Sequence, residues 1–354
     1  GDASGQTLDQ RGQPRVFGAS ADIGAVEMRS IIVSTTANAG AGSLNQAITD
    51  ANINGPGLDD IVFAPALDAG STINLTSALP TIISGLTVNG FRADRLEVRR
   101  NVAAEFRVFN VSGSVAGGVA IRSMTIANGR ATGGGDQGGG ILSQSDLYLT
   151  NVHVTGNVSN AGGGVSLSDA SGVFAGCTFS GNLANLGGGI SYGASADVLR
   201  LAGSTVSGND AFAAAGLAVQ LTGTSSRLEL IDSTIANNVG TQSGGIRAVG
   251  VPGSAGTTTA LRNTIIAGNT PDNFITLDNA TITSRGFNLS NNYNGVLAPT
   301  ATDITSPNSN LGPLADNGGP TPTRALLFGS AALDAGSSVG SGRSTDQRGS
   351  GFTR

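Results

Sequence analysis

The sequence predicts an all-β fold, a single parallel β-helix (solenoid) with a short helix that caps its N-terminal end. Three observations lead to this prediction. A nine-residue pattern recurs through the middle of the chain, 55 of the 354 residues are glycine, and only 4% are aromatic. A compact core of this size normally uses more large side chains, whereas a thin core extended in one direction does not need them.

The composition also indicates which kinds of binding partner are not expected for this chain. Hydrophobic residues make up 39% of the chain and recur throughout, so long disordered stretches are not expected. All 19 basic residues are arginine and the formal net charge is −5, which argues against nucleic acid or an anionic membrane as a partner. The one cysteine, Cys177, excludes an internal disulfide framework, and no apolar run is long enough for membrane insertion.

The first elements are assigned to residues 30–118, which contain the cap and the first coils. AGSLNQAITDAN (41–52) predicts the capping helix, since Ser43 and Gln46 have the spacing of a capping box. One face of this helix is apolar and consists of Leu44, Ala47, Ile48 and Ala51. A short amphipathic helix of this kind can cover the unpaired strands at the end of a solenoid. DDIVFAPAL, STINLTSALPTII and GLTVNGF then predict strands.

Residues 119–270 contain the regular coils. The repeated pattern appears as LTNVHVTGN (149–157), FAGCTFSGN (174–182), LAGSTVSGN (201–209), LIDSTIANN (230–238) and LRNTIIAGN (261–269), with an earlier copy at 121–129. Each copy has an apolar first residue and a second apolar residue five positions later. Because five is odd, strand alternation cannot place both on the same side, so a bend must lie between them. The small residues around position 151 and its equivalents suit this bend.

A column of asparagines closes the pattern. Its members are Asn157, Asn182, Asn209, Asn238 and Asn269. In a β-helix, equivalent residues of successive coils lie about 4.8 Å apart. We therefore expect a structural ladder in which each side-chain amide is hydrogen-bonded to the next. Eight residues after each of the first four asparagines comes an apolar position that is preceded by glycine.

Insertions between the coils fall on one arc. The arc runs from the glycine-preceded apolar residue to the next copy, and it lengthens from 8 residues (Ile141 to Leu149) to 15 residues (Ile246 to Leu261). Insertions on one face often mark a binding face, although loop variation on a tolerant surface predicts the same pattern. Tyr148, Tyr192 and Phe212 could be exposed, which keeps glycan binding as a hypothesis.

The sequence offers no catalytic candidate. No two carboxylates share a column, as the calcium site of a polysaccharide lyase or the acid pair of a glycosidase requires. His153 has no Ser–Asp context and is interpreted as a surface residue, and Cys177 as a small packing residue. GGGDQGGG (133–140) precedes a strand, not the helix that a phosphate-binding loop needs. We therefore expect no cofactor, no metal and no catalytic residue, with a lyase or hydrolase as the enzymatic alternative.

Several segments carry a resemblance to a known family. IIVSTTANAGAGSLNQAITDAN, INLTSALPTI, the GGGI…SGN coils and LGPLADNGGPTPTRALL…ALDAG together resemble bacterial secreted right-handed parallel β-helix repeat proteins with a choice-of-anchor-type C-terminal segment. The resemblance covers nearly the whole chain and implies a right-handed helix at an extracellular or cell-surface location. In that family ALDAG is followed by a D-x-RG segment, an arginine and a DIGA-[FV]-E strand.

The order of these last motifs is shifted in this chain. DQRG occurs at 9–12 and again at 346–349, but the continuation VFGASADIGAVE stands at 16–27. Residues 271–354 are therefore interpreted as irregular C-terminal coils with an incomplete terminal segment. Residues 1–29 are interpreted as a strand segment donated to a neighbouring subunit, with Val16, Phe17, Ile23 and Val26 as its apolar residues. A tandem polyprotein would show the same shift, and so would an arbitrary boundary in a chain that lacks a signal peptide and an initiator Met.

Arginine–carboxylate pairs could fix the register of such a junction. The candidates are Asp9, Arg11, Arg15, Asp22, Asp346, Arg348 and Arg354. The alternative is that DQRG is only a favourable turn. Together these features predict an extracellular structural subunit that assembles head to tail with copies of itself into a filament or surface array. An adhesin, or a protein that binds or cleaves polysaccharide on the lengthening arc, is the alternative.

Overall fold

The computed structural model describes residues 29–53, 59–223, 225–251, 258–293, 295–339 and 343–353. It is a parallel β-solenoid of about nine turns with one α-helix, Leu44–Ile53, near its N-terminal end. The fold class predicted from the sequence is thus confirmed. Each regular turn contributes up to four strands, and equivalent strands of successive turns pair in parallel. Four sheets therefore run along the axis of the solenoid.

The sheets are numbered in the order in which one turn crosses them. Sheet 1 contains Ser30–Val33, Asp59–Phe63, Leu86–Asn89, Val119–Arg122, Leu147–Thr150, Gly172–Ala175, Val198–Ala202, Arg227–Ile231, Thr258–Arg262 and Thr281–Ser284. Sheet 2 contains Ser71–Leu75, Leu96–Arg100, Thr125–Ala127, His153–Thr155, Thr178–Ser180, Thr205–Ser207, Thr234–Ala236, Ile265–Ala267, Leu289–Ser290 and Ile304–Thr305.

The other two sheets complete the turn. Sheet 3 contains Arg130–Ala131, Val158–Ala161, Leu183–Leu186, Asp210–Ala213 and Val239–Gly240. Sheet 4 contains Phe109–Val111, Ile141–Ser143, Val165–Ser168, Ile190–Ala194, Leu217–Leu221, Ile246–Val249 and Phe274–Leu277. A short 3-10 helix, Pro65–Leu67, lies in the first turns, and an antiparallel hairpin, Leu311–Ala315 with Thr323–Leu326, lies outside the four sheets.

The bends of the repeat are corners with left-handed backbone conformation. Between sheets 1 and 2 a residue with positive φ stands in six successive turns: Ser123, Asn151, Gly176, Gly203, Asp232 and Asn263. After sheet 2 the same holds for Asn128, Gly156, Gly181, Gly208, Asn237 and Gly268. Glycine adopts this conformation freely, and Asn and Asp tolerate it better than other residues. The corners therefore explain why these residue types recur at the bends.

The core is a stack of columns inside the four sheets. Leu149, Phe174 and Leu201 face one another in register in sheet 1, and Val154, Phe179 and Val206 do so in sheet 2. All six side chains are fully buried. Because each side chain packs mainly on its equivalents in the turns above and below, a thin apolar core suffices.

The helix Leu44–Ile53 covers the N-terminal end of this core. The residues of its predicted apolar face are all buried. At its start the backbone N–H of Gln46 donates to Ser43 Oγ at 3.2 Å. The second bond of the predicted capping box is absent, because the backbone N–H of Ser43 donates to the carbonyl of Gly40 at 3.1 Å, while Gln46 Nε2 donates to Asp50 Oδ1 at 2.7 Å. The prediction of a complete box was wrong, since a backbone carbonyl takes the N–H that the box requires.

The C-terminal end of the core is closed differently. The Tyr293 ring stacks on Phe274 with 6.1 Å between the ring centroids, and its hydroxyl donates to the carbonyl of Asn288 at 3.1 Å. Leu297 is buried in the same apolar core as this pair. The N-terminal end of the core is thus covered by the helix, and the C-terminal end by side chains of the last, irregular coil.

From Leu311 onward the chain adds no further turn to the solenoid. Residues 311–339 and 343–353, which we call the C-terminal layer, fold back over the outer face of sheet 2. Thr321 Oγ1 donates to the carbonyl of Gly176 at 2.8 Å, and Thr178 Oγ1 donates to the carbonyl of Pro322 at 2.6 Å. Thr178, which points outward from sheet 2, is therefore fully buried. The segment assigned to irregular coils thus divides into the last turns and this second layer.

Candidate functional site

A cleft of about 460 Å³ lies between the outer face of sheet 2 and the C-terminal layer. Its floor is formed by sheet 2 and includes Thr205, Thr234, Ile265, Leu289 and Ile304. Its walls come from the hairpin, from residues 332–336 and from residues 346–348, and its margin from the corner residues Asp232, Asn263 and Phe287. The cleft falls in the size range of ligand and peptide sites.

The sequence signal for this second layer lies in the residues that flank the inner apolar column. In TFS (178–180), TVS (205–207) and TIA (234–236) the outward residues are small and uncharged. A solvated strand face normally carries longer polar or charged side chains. Sequence reasoning assigned only the inward residues and therefore missed that this face is covered.

Arg324 is the distinctive side chain of the cleft. Its Nε donates to Ser207 Oγ at 2.6 Å and its Nη1 donates to the carbonyl of Gly312 at 2.8 Å. With the amide of Asn237 oriented to satisfy both groups, Oδ1 accepts from Nη1 and Nη2 at 3.1 and 3.2 Å. All these acceptors are neutral, and within the described ranges no ion pair includes Arg324. Burial lowers the pKa of Arg324, but a guanidinium remains charged at neutral pH.

The second DQRG sequence forms one wall of the cleft. Arg348 Nη2 lies 2.6 Å from Asp346 Oδ2, and the backbone N–H of Arg348 donates to Asp346 Oδ1 at 2.8 Å. The Arg348 guanidinium also lies 4.0 Å from the centroid of the Phe352 ring. Asp346 and Arg348, both predicted junction residues, thus pair with each other within one turn.

Gln347 attaches this turn to the solenoid. Its Nε2 donates to the carbonyl of Cys177 at 3.1 Å and to Thr178 Oγ1 at 2.9 Å, and its Oε1 accepts from Thr205 Oγ1 at 2.7 Å. The turn therefore lies against the middle of sheet 2 and not at the end of the solenoid. Sequence reasoning missed Gln347 because it treated only the charged residues of DQRG as functional.

The remaining predicted junction residues lie outside the described part of the chain. These are Asp9, Arg11, Arg15, Asp22 and Arg354. The same is true of the predicted assembly strand, Val16, Phe17, Ile23 and Val26. The structure thus describes the DQRG turn at 346–349, whereas residues 9–12 lie outside the described ranges.

Exposed apolar side chains border the cleft. Leu326 and Leu333 line it and yet are 38% and 44% exposed. Leu327 and Phe328 follow directly after the hairpin, and the Phe328 side chain is fully exposed. Contiguous exposed apolar surface of this kind marks an interaction site more often than an ordinary surface does.

The asparagine column lies inside the solenoid, beside the corner after sheet 2. Asn157 Nδ2 donates to Asn182 Oδ1 at 3.0 Å, and the same bond links each asparagine to the next as far as Asn269. The same oxygens also accept the backbone N–H of the preceding asparagine, as between Asn182 and Asn209 at 3.1 Å. All five side chains are buried, so this column is a structural element.

None of the other described residues considered individually in the sequence analysis lines the cleft. His153 projects outward from sheet 2 but is half-buried, with Nε2 2.8 Å from Ser180 Oγ, and burial lowers its pKa to about 4. Cys177 is fully buried, and burial raises the pKa of its thiol to about 12. The suggestion that Tyr192 is exposed was wrong, because its side chain is 1% exposed. Tyr148 and Phe212 are exposed on sheets 1 and 3, so they do not form one stacking platform.

The lengthening arc joins sheet 4 to sheet 1. Its longest copy includes residues 252–257, which lie outside the described ranges. Among the residues that the structure describes, no group of three or more His, Cys, Asp and Glu could hold a metal ion. Within the same residues no helix is long and apolar enough to cross a membrane.

No protein-family model, curated protein or solved structure matches the chain. The features of the chain that bear on its function are therefore the cleft, the exposed apolar residues and the repeated DQRG sequence.

Proposed function

We propose that the chain is an extracellular structural subunit of a bacterial β-helix protein, and that copies of it associate head to tail. Residues 16–27 of one copy pack as a strand against the C-terminal layer of the next. The observation that carries the proposal is the place of the DQRG turn at 346–349. This turn is held in the wall of an open cleft, and the other DQRG sequence, at 9–12, is separated from residues 16–27 by only three residues.

The closed ends of the solenoid support association through the C-terminal layer. The helix Leu44–Ile53 covers one end of the core, and Tyr293 and Leu297 cover the other. Direct stacking of the last turn of one copy on the first turn of another would require these elements to leave. A strand that packs beside the C-terminal layer requires no such rearrangement, and its main chain supplies hydrogen bonds for pairing.

The symmetry of such contacts determines the product. The donating segment and the accepting layer are different surfaces, so every copy that accepts a strand can also donate one. A heterologous contact of this kind forms a ring if its rotation closes and a filament if it does not. The proposal assigns no catalytic chemistry to the chain.

The test is the native mass by light scattering, with the denatured mass of the same sample. We expect a native assembly that denatures to single chains of 34.9 kDa. Ile23→Pro removes a backbone N–H from the centre of the segment and should yield monomers. Thr7→Pro, outside residues 16–27, is the matched control and should assemble as the parent chain does. Native monomers of the parent chain, or an unchanged assembly of Ile23→Pro, would contradict the proposal.

A further inference from the structure

The cleft combines three properties that a simple packing gap lacks: an arginine with neutral partners only, an apolar margin that is exposed, and a floor of small and apolar side chains. From these we infer that the cleft is the acceptor site for residues 16–27 of a second copy, and that Asp22 of that segment pairs with Arg324. This inference rests on the proposed function and adds to it the accepting surface and the polar contact that selects the segment.

The hydrogen bonds of Arg324 leave room for a carboxylate. A guanidinium has five N–H donors, and Ser207, Gly312 and Asn237 take four of them. One N–H of Nη2 remains for a ligand. A half-buried cation surrounded by neutral groups gains most from an anionic partner, because few water molecules compete for it.

The carboxylates of the cleft itself have other partners. Asp346 is paired with Arg348 at 2.6 Å. Asp232 Oδ1 accepts from Asn263 Nδ2 at 3.1 Å. The anion for Arg324 is therefore expected to come from outside the described residues.

Residues 16–27 have the composition that the cleft requires. They contain two acidic residues, Asp22 and Glu27, and no basic residue. Five of the seven residues of ASADIGA (19–25) are Ala, Ser or Gly, so the segment is narrow. Its larger apolar side chains can cover Leu326 and Leu333, which line the cleft and remain exposed.

Chain length distinguishes the two acidic residues. The solenoid of the donating copy begins with the strand Ser30–Val33. Glu27 is three residues from this strand, which allows a reach of at most about 10 Å, whereas Asp22 is eight residues away and can reach about 26 Å. A layer of side chains is itself about 10 Å thick. Only Asp22 can therefore enter a cleft that lies beneath a layer of another molecule.

The experiment exchanges the two charges in the full chain and follows assembly by light scattering over a dilution series. Asp22→Arg alone and Arg324→Asp alone should each weaken association at least tenfold. The double variant with both substitutions should recover most of the parent affinity, since the pair is restored with opposite polarity. Glu27→Arg is the matched control and should change the affinity less than threefold.

Mixing the two single variants gives an independent readout. The Asp22→Arg chain keeps an intact cleft, and the Arg324→Asp chain keeps an intact donor segment. At one contact Asp22 of the Arg324→Asp chain pairs with Arg324 of the Asp22→Arg chain, and at the next contact the two substituted residues pair with reversed polarity. The mixture should therefore form assemblies as large as those of the parent chain, at a concentration at which each variant alone is mostly dissociated. This result would also show that Arg324→Asp has not impaired the donor.

The outcomes separate this inference from the proposed function. If Ile23→Pro abolishes assembly but both charge variants assemble like the parent chain, the segment is donated to a different surface and the cleft inference is wrong. The same holds if the double variant recovers nothing. If Ile23→Pro assembles normally, the proposed function itself is wrong.

Discussion

At the scale of single residues, Asn209 illustrates how one side chain connects three turns. Its Oδ1 accepts from the backbone N–H and from Nδ2 of Asn182, and its own Nδ2 donates to the carbonyl of Phe179 at 3.0 Å. It also donates to Asn238 Oδ1 at 2.8 Å. Every one of these groups is buried, so they have no water to replace the amide.

Asn209→Ala should therefore lower the free energy of unfolding by about 2–4 kcal/mol, because it leaves several buried donors and acceptors without partners. The measurement is urea unfolding followed by far-ultraviolet circular dichroism. Asn185→Ala is the control, since Asn185 is exposed and its Nδ2 donates to the partly exposed Asn160 at 3.1 Å. We expect it to cost less than about 0.5 kcal/mol. Equal effects of the two substitutions would mean that the buried column does not stabilise the solenoid.

His153 predicts a loss of stability in mild acid. Burial lowers its pKa to about 4 in the folded chain, against 6.5 in the unfolded chain. Between these values the unfolded state binds the proton more readily, so the contribution is complete above pH 6.5 and is lost as the pH falls toward 4. The loss should amount to about 1–3 kcal/mol.

His153→Gln should remove this part of the pH dependence. The parent chain and the variant are compared by urea unfolding at several pH values from 7.5 to 4.5. Carboxylates titrate in both proteins, so the difference between the two curves isolates the histidine. Parallel curves would show that His153 titrates normally in the folded chain.

Residue-scale features differ in how far the sequence can predict them. The asparagine column is recognisable because its distance from the apolar positions is constant along the chain. The contacts of Gln347 leave no such trace, because Thr205 and Cys177 lie 142 and 170 positions away in the sequence. Arg324 and Ser207, 117 positions apart, were missed for the same reason.

At the scale of elements, the glycine pairs before sheet 4 keep neighbouring turns close together. A Cβ at Gly163 would lie 2.6 Å from the carbonyl oxygens of Gly188 and Leu183, closer than real Cβ atoms come. Both oxygens belong to the next turn, so the stacking of two turns would have to change. The glycines here are therefore required by the spacing between turns, a reason that the repeat pattern alone does not reveal.

Gly163→Ala should accordingly lower the free energy of unfolding by more than about 2 kcal/mol. Gly134→Ala is the matched control, because no atom lies within 4 Å of the added Cβ. It should be neutral or stabilising by up to about 1 kcal/mol, since alanine restricts the unfolded chain. The free energies of unfolding of both variants are measured by urea unfolding. An unchanged value for Gly163→Ala would show that the two turns can move apart at this point without cost.

Elements that follow from a local sequence pattern could be predicted from the sequence. Elements that depend on contacts between distant parts of the chain could not. The strands, the corners and the buried face of the capping helix follow from residue spacing within a few positions. The C-terminal layer depends on the outer face of sheet 2, where Thr178 and Thr205 are buried by residues that come more than 100 positions later. The small, uncharged outward side chains of this face indicate that it is covered, but they do not indicate which segment covers it.

At the scale of the whole molecule, the exposed surface is uneven. The two ends of the solenoid are covered, whereas Leu327 and Phe328 project from the C-terminal layer beside the cleft. A solenoid needs cover at its two ends, because the unpaired strands there can pair with other chains and aggregate. Ends that are closed and a flank that is apolar favour association along the flank, in agreement with the proposed strand donation.

The C-terminal layer also changes how the solenoid responds to tension. In a plain solenoid each turn touches only its neighbours, so a pull on the last turn can peel the coils away one after another. Here the hydrogen bonds of Thr321, Arg324 and Ser337 connect the layer to turns at Gly176, Ser207 and Asn263. A force along the axis must break these hydrogen bonds together before the last coil can detach. The turns from Gly176 to Asn263 and the C-terminal layer should then unfold together.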